Sequence, residues 1–259
     1  MRIATFNING VKARLPALLD WLAEAGPDVA VLQEIKSTDE TFPRDDLVSA
    51  GWNVETHGQK GFNGVAILSK RPVEDVQRGL PGDDSDEQAR WIEATAMGDR
   101  DAVRICGLYL PNGNPAPGPK YDYKLAWMAR LQARAEAILA TEMPAVIAGD
   151  YNVIPQDEDA SRPEAWRKDA LALPQSRDAF RRLLNLGLTD AIGIDGHAGR
   201  YTFWDYQANS WEKNDGIRID HLLLTPQAAD RLTDAGIDAD VRGGTKPSDH
   251  VPVWVELDL

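Results

Sequence analysis

Two polar residues that follow an apolar run have the types and spacing needed for acid–base chemistry. Residues 145–148 are apolar, as is typical of a buried strand, and Asp150 and Asn152 come directly after them. Side chains two residues apart in extended backbone point in the same direction, so this carboxylate and this carboxamide could hold a water and a substrate oxygen side by side. Taken alone, the segment is better explained as an ordinary turn at the end of a strand, because Gly, Asp and Asn favour turns.

Polar groups stand in, or at the end of, six predicted strands. They are Asn7, Glu34, Tyr109, the pair Asp150 and Asn152, Asp220, and the pair Asp249 and His250. If these strands share one sheet edge, their carboxylates repel each other unless a cation joins them. Glu34, with Asn7 and Asp249 as further candidates, offers the oxygen ligands that Mg²⁺ or Mn²⁺ prefers. Such a metal can polarise a phosphoryl oxygen, so the pattern predicts phosphoryl chemistry.

The composition describes an ordinary globular chain with an acidic balance. The 259 residues carry a formal net charge of −13, which argues against a general surface for polyanions but allows a local basic patch. Cys106 is the single cysteine, so no intrachain disulfide can form, and we expect it to be a small core residue in a reducing compartment. The N-terminal apolar run is broken by polar residues, and no stretch approaches the roughly 20 apolar residues of a membrane helix. We therefore expect a cytoplasmic protein without a membrane segment.

Hydrophobic periodicity predicts an α/β fold with many strands. A strand at 2–8, a helix at 12–25 and a buried strand at 28–34 open the chain, and segments 52–56 and 64–69 form a hairpin. Further strands are predicted at 90–96, 102–110, 201–206, 218–224 and 251–257, and further helices at 121–140, 164–171 and 177–186. No repeat or linker divides the chain, so we expect a single domain over residues 1–259. Its predicted core is two stacked β-sheets flanked by helices.

Seven segments, spread over the chain in order, resemble one known family. They are IATFNING at 3–10, LQEIK at 32–36, HGQKGFNGVAI at 57–67, YLPNG at 109–113, GDYN at 149–152, RID at 218–220 and SDHVP at 248–252. The ordered set is similar to the exonuclease III family of apurinic/apyrimidinic endonucleases, within the endonuclease/exonuclease/phosphatase superfamily. The resemblance implies two mixed sheets in a four-layer α/β sandwich of the deoxyribonuclease I-like type.

The resemblance also implies a metal centre and a base. Glu34 would be the principal ligand of Mg²⁺ (Mn²⁺ is possible), with Asn7 and Asp249 at or near the metal. Asp150 would orient or deprotonate the attacking water, and Asn152 would donate a hydrogen bond to a phosphate oxygen.

Three further residues would complete the catalytic group by resemblance. Protonated His250 would donate to a phosphate oxygen, and Asp220 would fix its ring and favour its charged form. Tyr109 would contact the phosphate or assist the leaving oxygen. His221, one residue after Asp220 in a strand, should point to the opposite face and take no part.

Other residues would select the substrate. Phe203 and Trp204 resemble the aromatic residues that line the family's pocket for a flipped abasic deoxyribose, and Ile217 would be another apolar wall. Lys60 and Phe62 resemble a hairpin loop that contacts DNA. The alternatives are a core role for the two pocket aromatics and a solvated tip for the hairpin. With a net charge of −13, DNA binding would depend on a narrow basic patch drawn from Lys36, Lys60, Lys213 and Arg218.

The sequence therefore predicts a monomeric DNA repair phosphodiesterase. It would cut duplex DNA 5′ to abasic sites, leave a 3′-hydroxyl, and also act as a 3′-to-5′ exonuclease and 3′-end-cleaning enzyme. The alternative with the same catalytic centre is a superfamily phosphatase or phosphodiesterase that acts on inositol phosphates or phospholipids. A non-catalytic DNA-binding protein is a third hypothesis, but it requires a missing catalytic group, and each expected group is present.

Overall fold

The computed structural model of the chain describes residues 1–193 and 200–259. His197, a loop residue by sequence, lies outside the described residues. The described strands are β1 (Arg2–Asn7), β2 (Val29–Gln33), β3 (Asn53–His57), β4 (Val65–Ser69), β5 (Val73–Arg78), β6 (Trp91–Met97), β7 (Ala102–Tyr109), β8 (Ala145–Asp150), β9 (Thr189–Asp190), β10 (Asp220–Leu224), β11 (Leu232–Ile237) and β12 (Val253–Leu257). The described helices are α1 (Val11–Ala25), α2 (Arg44–Ser49), α3 (Pro119–Leu139), α4 (Pro163–Trp166), α5 (Pro174–Asn185) and α6 (Pro226–Ala229).

The strands form two six-stranded sheets, and each sheet has one parallel pair near its middle. The first sheet has the order β11-β12-β1-β2-β4-β3, and the second has the order β5-β6-β7-β8-β10-β9. The parallel pairs are β1 with β2 and β7 with β8, and the remaining neighbours are antiparallel. Parallel strands end at the same edge of a sheet, and polar functional groups collect past that edge.

The two sheets pack face to face through aliphatic side chains. Ile3 and Val31 of the first sheet share a core cluster with Ile92, Ile105 and Val146 of the second. Alternation along each strand sends the other side chains outwards, where helices cover them. On the first sheet, α1 contributes Leu18, Trp21 and Leu22; on the second, α3 and α5 contribute Trp127, Leu131 and Phe180. The result is the predicted helix–sheet–sheet–helix sandwich.

Most of the predicted elements are present, but the sequence patterns missed three edge strands, β5, β9 and β11. In β5, the sequence VEDVQR is largely exposed, and the register shifts between Glu74 and Gln77, so no clean alternation marks it. The edge strand β11 has a similar shift. The prediction of a strand at 201–206 is wrong, because this segment makes only isolated bridges between Phe203 and the residues Ile217 and His250.

The predicted hairpin of β3 and β4 is confirmed as an antiparallel pair. Within residues 1–193 and 200–259, no helix is long and apolar enough to cross a membrane.

Candidate active site

The register of the two parallel pairs brings the predicted residues to one edge of the sandwich. Asn7 is the last residue of β1, and Glu34 directly follows its parallel neighbour β2. In the second sheet, Tyr109 ends β7 opposite Asp150, the last residue of β8. The antiparallel strand β10 places Asp220 opposite Asp150 from the other side. Five strand ends thus bring their polar groups to one cleft.

Glu34 and Asn152 have a backbone conformation that is unusual for residues other than glycine. The φ angle is +48° at Glu34 and +47° at Asn152, in the left-handed region. Such a conformation costs on the order of 1 kcal/mol or more and persists where the surrounding structure determines it. At Glu34 the surrounding backbone does so, because its carbonyl accepts the N–H of Gly10 at 2.7 Å.

Glu34 is surrounded by donors that keep it ionised. The amide nitrogen of Asn7 donates to Oε1 at 2.9 Å, and the phenol of Tyr109 donates to the same oxygen at 2.9 Å. The Lys36 ammonium lies 2.9 Å from Oε2. Burial raises the pKa of Glu34, but the hydrogen bonds from Asn7 and Lys36 outweigh it and hold the pKa below its ordinary value.

Asp150 is a buried carboxylate, 1% exposed, with the features of a general base. Its Oδ1 accepts the backbone N–H of Asn152 at 2.8 Å, and its Oδ2 accepts the Asn7 amide at 3.1 Å. Burial raises the pKa of Asp150, the positive charge of His250 opposes that rise, and the charge of Asp220 adds to it. The outcome is a pKa raised to about 7. A base with a pKa near neutrality can accept a proton from water.

His250 lies between two carboxylates and is held in its charged form. Its Nδ1 is 2.8 Å from Oδ2 of Asp220, and its Nε2 is 3.7 Å from Oδ2 of Asp150. Burial lowers the pKa of His250, but the charges of Asp220 and Asp150 outweigh it and raise the pKa to about 10. The hydroxyl of Thr202 donates to the same Asp220 oxygen at 2.6 Å, and the Phe203 ring lies 5.0 Å from the imidazole. The predicted contact between Asp220 and His250 is therefore present.

Asp249 joins the site through Asn9, a residue that the sequence patterns missed. The N–H of Asn9 donates to Oδ1 of Asn7 at 3.1 Å, and its amide donates to Oδ1 of Asp249 at 3.0 Å. The hydroxyl of Ser248 fixes the other side by donating to the Asn7 carbonyl at 2.7 Å. These bonds place Asp249 next to the Asn7 side of the cleft.

The donor set fits a hard divalent cation. Ligand atoms of Glu34, Asp150 and His250 all lie within 4.8 Å of one another. Protonated His250 has no free lone pair for a metal, which leaves carboxylate oxygens as the ligands. The Asn7 amide contacts both Glu34 and Asp150, whereas Asp249 is outside this group and is linked to Asn7 through Asn9. Oxygen ligands of this kind suit Mg²⁺ or Mn²⁺.

Asn152 is held by the loop that follows β7. Its amide nitrogen donates to the carbonyl of Leu110 at 2.9 Å, and its Oδ1 accepts from the amide of Asn112 at 3.1 Å. An amide has two N–H donors, so one of them stays available for a substrate oxygen. Asn112 belongs to a loop of four prolines, and only its place in the YLPNG motif pointed to it.

A cavity of about 320 Å³ lies next to the catalytic residues. Phe203, Ile217 and Trp166 line it, together with Arg162 and Asp215. Trp166, at the end of α4, is a wall that the sequence analysis did not identify, because an isolated tryptophan in a polar segment gives no signal of its own.

The prediction that Trp204 lines the pocket is wrong. Trp204 is 2% exposed, and its ring packs at right angles to Trp211 with centroids 4.9 Å apart. The neighbouring Phe203 lines the cavity instead, with its ring 5.0 Å from the His250 imidazole.

The prediction that Arg218 contacts DNA is also wrong. Its side chain is 1% exposed, with Nε at 2.7 Å from Asp159 and Nη1 at 2.7 Å from Asp190. The charge is therefore already compensated inside the protein. His221 faces the same interior region, where its Nε2 lies 3.2 Å from the Val153 carbonyl, as expected for the face opposite the site.

The remaining basic residues differ in their exposure. Lys60 and Lys213 are exposed, whereas Lys36 is half-buried against Glu34. Phe62 is 75% exposed at the connection between β3 and β4, which excludes a core role for it. A single exposed hydrophobic side chain does not by itself mark a binding surface, so the DNA contact of Lys60 and Phe62 stays a prediction.

Comparisons with known proteins agree with this geometry. A model of the endonuclease/exonuclease/phosphatase family matches residues 4–250. The chain belongs to this family. One family relative, exodeoxyribonuclease III of Haemophilus influenzae, is 36% identical over 266 residues, which cover 99% of this chain and 100% of the relative.

Two solved structures from the family are similar over the full length of both chains. The AP endonuclease from Archaeoglobus fulgidus has a TM-score of 0.94 and 35% identity, and covers 100% of each chain. A 3′ phosphatase from Neisseria bound to product DNA hairpin has a TM-score of 0.94 and 38% identity, with the same coverage. The family and the two-sheet fold predicted from the sequence are confirmed.

Proposed function

We propose that this protein is a metal-dependent DNA repair phosphodiesterase that cuts duplex DNA 5′ to abasic sites. The same site would remove nucleotides and blocking groups from 3′ ends. The observation that carries the proposal is the pair of buried groups, Asp150 and protonated His250, that lies next to Glu34 at one sheet edge. Similar full-length proteins are an exodeoxyribonuclease III, an AP endonuclease and a 3′ phosphatase bound to DNA, which supports a nuclease of this class.

The residues that would hold the metal are Glu34, Asn7 and Asp249. Mg²⁺ is the metal that their oxygen atoms suit best, and Mn²⁺ would also fit. When bound, such a cation polarises a phosphoryl oxygen and offsets the charge that develops in the transition state.

The catalytic residues would divide the work of hydrolysis. Asp150 accepts a proton from water, whose oxygen forms a bond to phosphorus while the bond to the 3′ oxygen breaks. The amide of Asn152 and the imidazolium of His250 donate hydrogen bonds to the non-bridging oxygens, which carry the added negative charge. The leaving oxygen takes up a proton from solvent and becomes the 3′-hydroxyl, and Asp150 later releases its proton to solvent.

Tyr109 would act as a neutral donor. Burial, followed by the nearby charges of Glu34 and Asp150, raises the pKa of Tyr109 well above its ordinary value, so it remains a phenol. Its hydroxyl contacts Glu34 at 2.9 Å and lies within the cleft where the phosphate would bind.

Abasic DNA would be selected at the cavity and the hairpin. Phe203, Ile217 and Trp166 form apolar walls beside His250 that suit a deoxyribose without its base. Lys60 and Phe62 extend into solvent, where a lysine can pair with phosphate and an aromatic ring can stack or wedge between bases. We further propose that residues 1–259 form one domain that acts as a monomer in the cytoplasm.

The test is cleavage of a duplex that contains one tetrahydrofuran abasic analogue. Purified protein with Mg²⁺ should cut it 5′ to the analogue, leave a 3′-hydroxyl, and lose activity when EDTA is added. An uncut duplex, with release of phosphate from inositol phosphates or phospholipids instead, would assign the site to the alternative substrate class.

A further inference from the structure

A fully buried lysine lies behind the catalytic loops. Lys124, on α3, is 0% exposed, and its ammonium donates to the carbonyl oxygens of Asn112 at 3.0 Å and Asn152 at 2.5 Å. One carbonyl belongs to the loop after β7 and the other to the loop after β8. The Lys124 ammonium therefore joins the two loops through their backbone carbonyls.

The position is costly for a lysine. Burial lowers the pKa of Lys124 to about 7, although the charges of Asp150 and Asp169 oppose the change. A buried ammonium is tolerated when strong hydrogen bonds replace its water, and here two carbonyls do so. The cost makes the lysine a poor choice for simple packing, because a methionine would fill similar space without desolvating a charge.

The loop is also shaped around the lysine stem. Gly113 has a φ of +91°, and a Cβ atom at this position would lie 2.7 Å from Cδ of Lys124. Only glycine leaves room for both the backbone conformation and the close approach of the stem. The contact fixes the distance between α3 and the loop that carries Asn112.

The two loop residues joined by Lys124 also bond to each other through their side chains. Asn112 donates to Oδ1 of Asn152, and the N–H of Asn152 donates to Oδ1 of Asp150. The lysine holds the backbone of this network, while Asn112 sets the orientation of the Asn152 amide. Movement of either loop would displace Asn152 and loosen its hydrogen bond to Asp150.

We propose that Lys124 is a positioning residue of the catalytic site, which acts by clamping the loops of Asn112 and Asn152 so that the Asn152 amide and Asp150 keep their geometry. The proposal rests on the proposed nuclease function. Lys124 touches no substrate in this scheme and acts through Asn152. Its removal should lower kcat with little change in KM, because the alignment of the reacting groups suffers while the DNA-contacting surface is retained.

The kinetic test compares Lys124→Met with the control Lys70→Met. Lys70 is an exposed lysine that directly follows β4, at the end of that strand away from the catalytic site. In the abasic-duplex assay, misalignment of about 1 Å is worth up to roughly a hundredfold in rate, so Lys124→Met should lower kcat by roughly ten- to a hundredfold. Its KM should stay within about threefold of the unmodified protein, and Lys70→Met should match the unmodified protein in both constants. An uncut duplex with the unmodified protein would defeat the nuclease function, whereas full kcat in a folded Lys124→Met protein would defeat only the role of Lys124.

A double-mutant cycle separates positioning from stability. In the Asn152→Ala background the amide that Lys124 positions is gone, so adding Lys124→Met should lower kcat far less than it does alone. Assays are run well below the melting temperature of each variant, and circular dichroism checks the fold. Equal losses in the two backgrounds would overturn the proposal.

Hydrogen–deuterium exchange provides a readout that does not need activity. Lys124→Met should raise the exchange of the peptides that cover 110–114 and 151–154 and leave the β1 peptide unchanged. Unchanged exchange in both loops would contradict the clamp. If Lys124→Met does not fold, Lys124→Gln, which retains an N–H donor, takes its place and should give a smaller loss of kcat in the same direction.

Discussion

Two buried carboxylates stabilise the charge on His250, and removing the charge of one of them, Asp220, gives a quantitative prediction. Oδ2 of Asp220 accepts from the imidazole at 2.8 Å and from Thr202 at 2.6 Å. Asp220→Asn keeps an oxygen acceptor for both donors and removes only the negative charge. The imidazolium form of His250 should therefore lose most of its local stabilisation while the ring keeps its place.

The size of the effect follows from the change of a hydrogen bond to a charged acceptor into one to a neutral acceptor. A hydrogen bond to a charged group contributes about 1.5–3 kcal/mol, and one pKa unit corresponds to about 1.4 kcal/mol. Burial lowers the pKa of His250, but Asp220 and Asp150 outweigh it and raise the pKa to about 10. In Asp220→Asn this pKa should fall by ~1–2 units. Because His250 must be protonated to donate to phosphate, activity is lost as the pH rises through its pKa. The alkaline limb of the profile should therefore move to lower pH.

The measurement is the pH profile of kcat/KM on the abasic duplex between pH 6 and pH 10.5. At pH 9 the Asp220→Asn protein should lose roughly two- to tenfold more activity, relative to its own maximum, than the unmodified protein. Asp101→Asn, which removes a surface carboxylate paired with Arg231, is the control and should leave the limb in place. An alkaline limb that does not move in Asp220→Asn would refute the assignment of a charged His250.

Three further predictions concern the base, the metal and the hairpin. Asp150→Asn should lower kcat by roughly 10²–10⁴-fold because the water loses its base, while Kd for the duplex changes by less than about threefold; equal losses of binding and turnover would contradict the role of a base. Glu34→Gln should abolish cleavage at millimolar Mg²⁺ but spare duplex binding, and excess Mg²⁺ should restore part of the activity if Glu34 holds the metal. Phe62→Ala should weaken abasic-duplex binding by about 1–3 kcal/mol if its ring stacks on DNA. The control Val48→Ala, at another exposed apolar residue, should leave binding unchanged. Equal affinities of the two variants for the duplex would make Phe62 a solvated hairpin tip.

The central part of the site could be predicted from the sequence because it depends on strand ends. Asn7, Glu34, Tyr109 and Asp150 stand where apolar runs stop, and parallel pairing brings such ends together with little freedom. Successive side chains of a strand point to opposite faces, which excluded His221, the neighbour of Asp220, from the site. The structure places His221 on the opposite face. In strands, side-chain direction follows from position, so residue type and spacing carry most of the information.

The residues around this centre could not be predicted, because in a loop the direction of a side chain does not follow from its position in the sequence. Phe203 and Trp204 carry equal aromatic signals, yet only the backbone path of their loop decides that Phe203 faces the cavity. Arg218 looks like a DNA contact until the distant Asp159 and Asp190 fold against it. Such long-range pairing is invisible in a single sequence, as is the burial of Lys124 on an otherwise amphipathic helix.

The charged side chains of the site form a continuous chain of contacts. Lys36 pairs with Glu34, the Asn7 amide bridges Glu34 to Asp150, and His250 stands between Asp150 and Asp220. Removing one member leaves a neighbouring buried charge without its partner, which costs more than the contact itself contributes. The effects of single substitutions along this chain should therefore add to more than the effect of removing several members together. The non-additivity arises because these charges share one low-dielectric cleft. For this reason a change of charge alone, as in Asp220→Asn, tests the site more sharply than the removal of whole side chains.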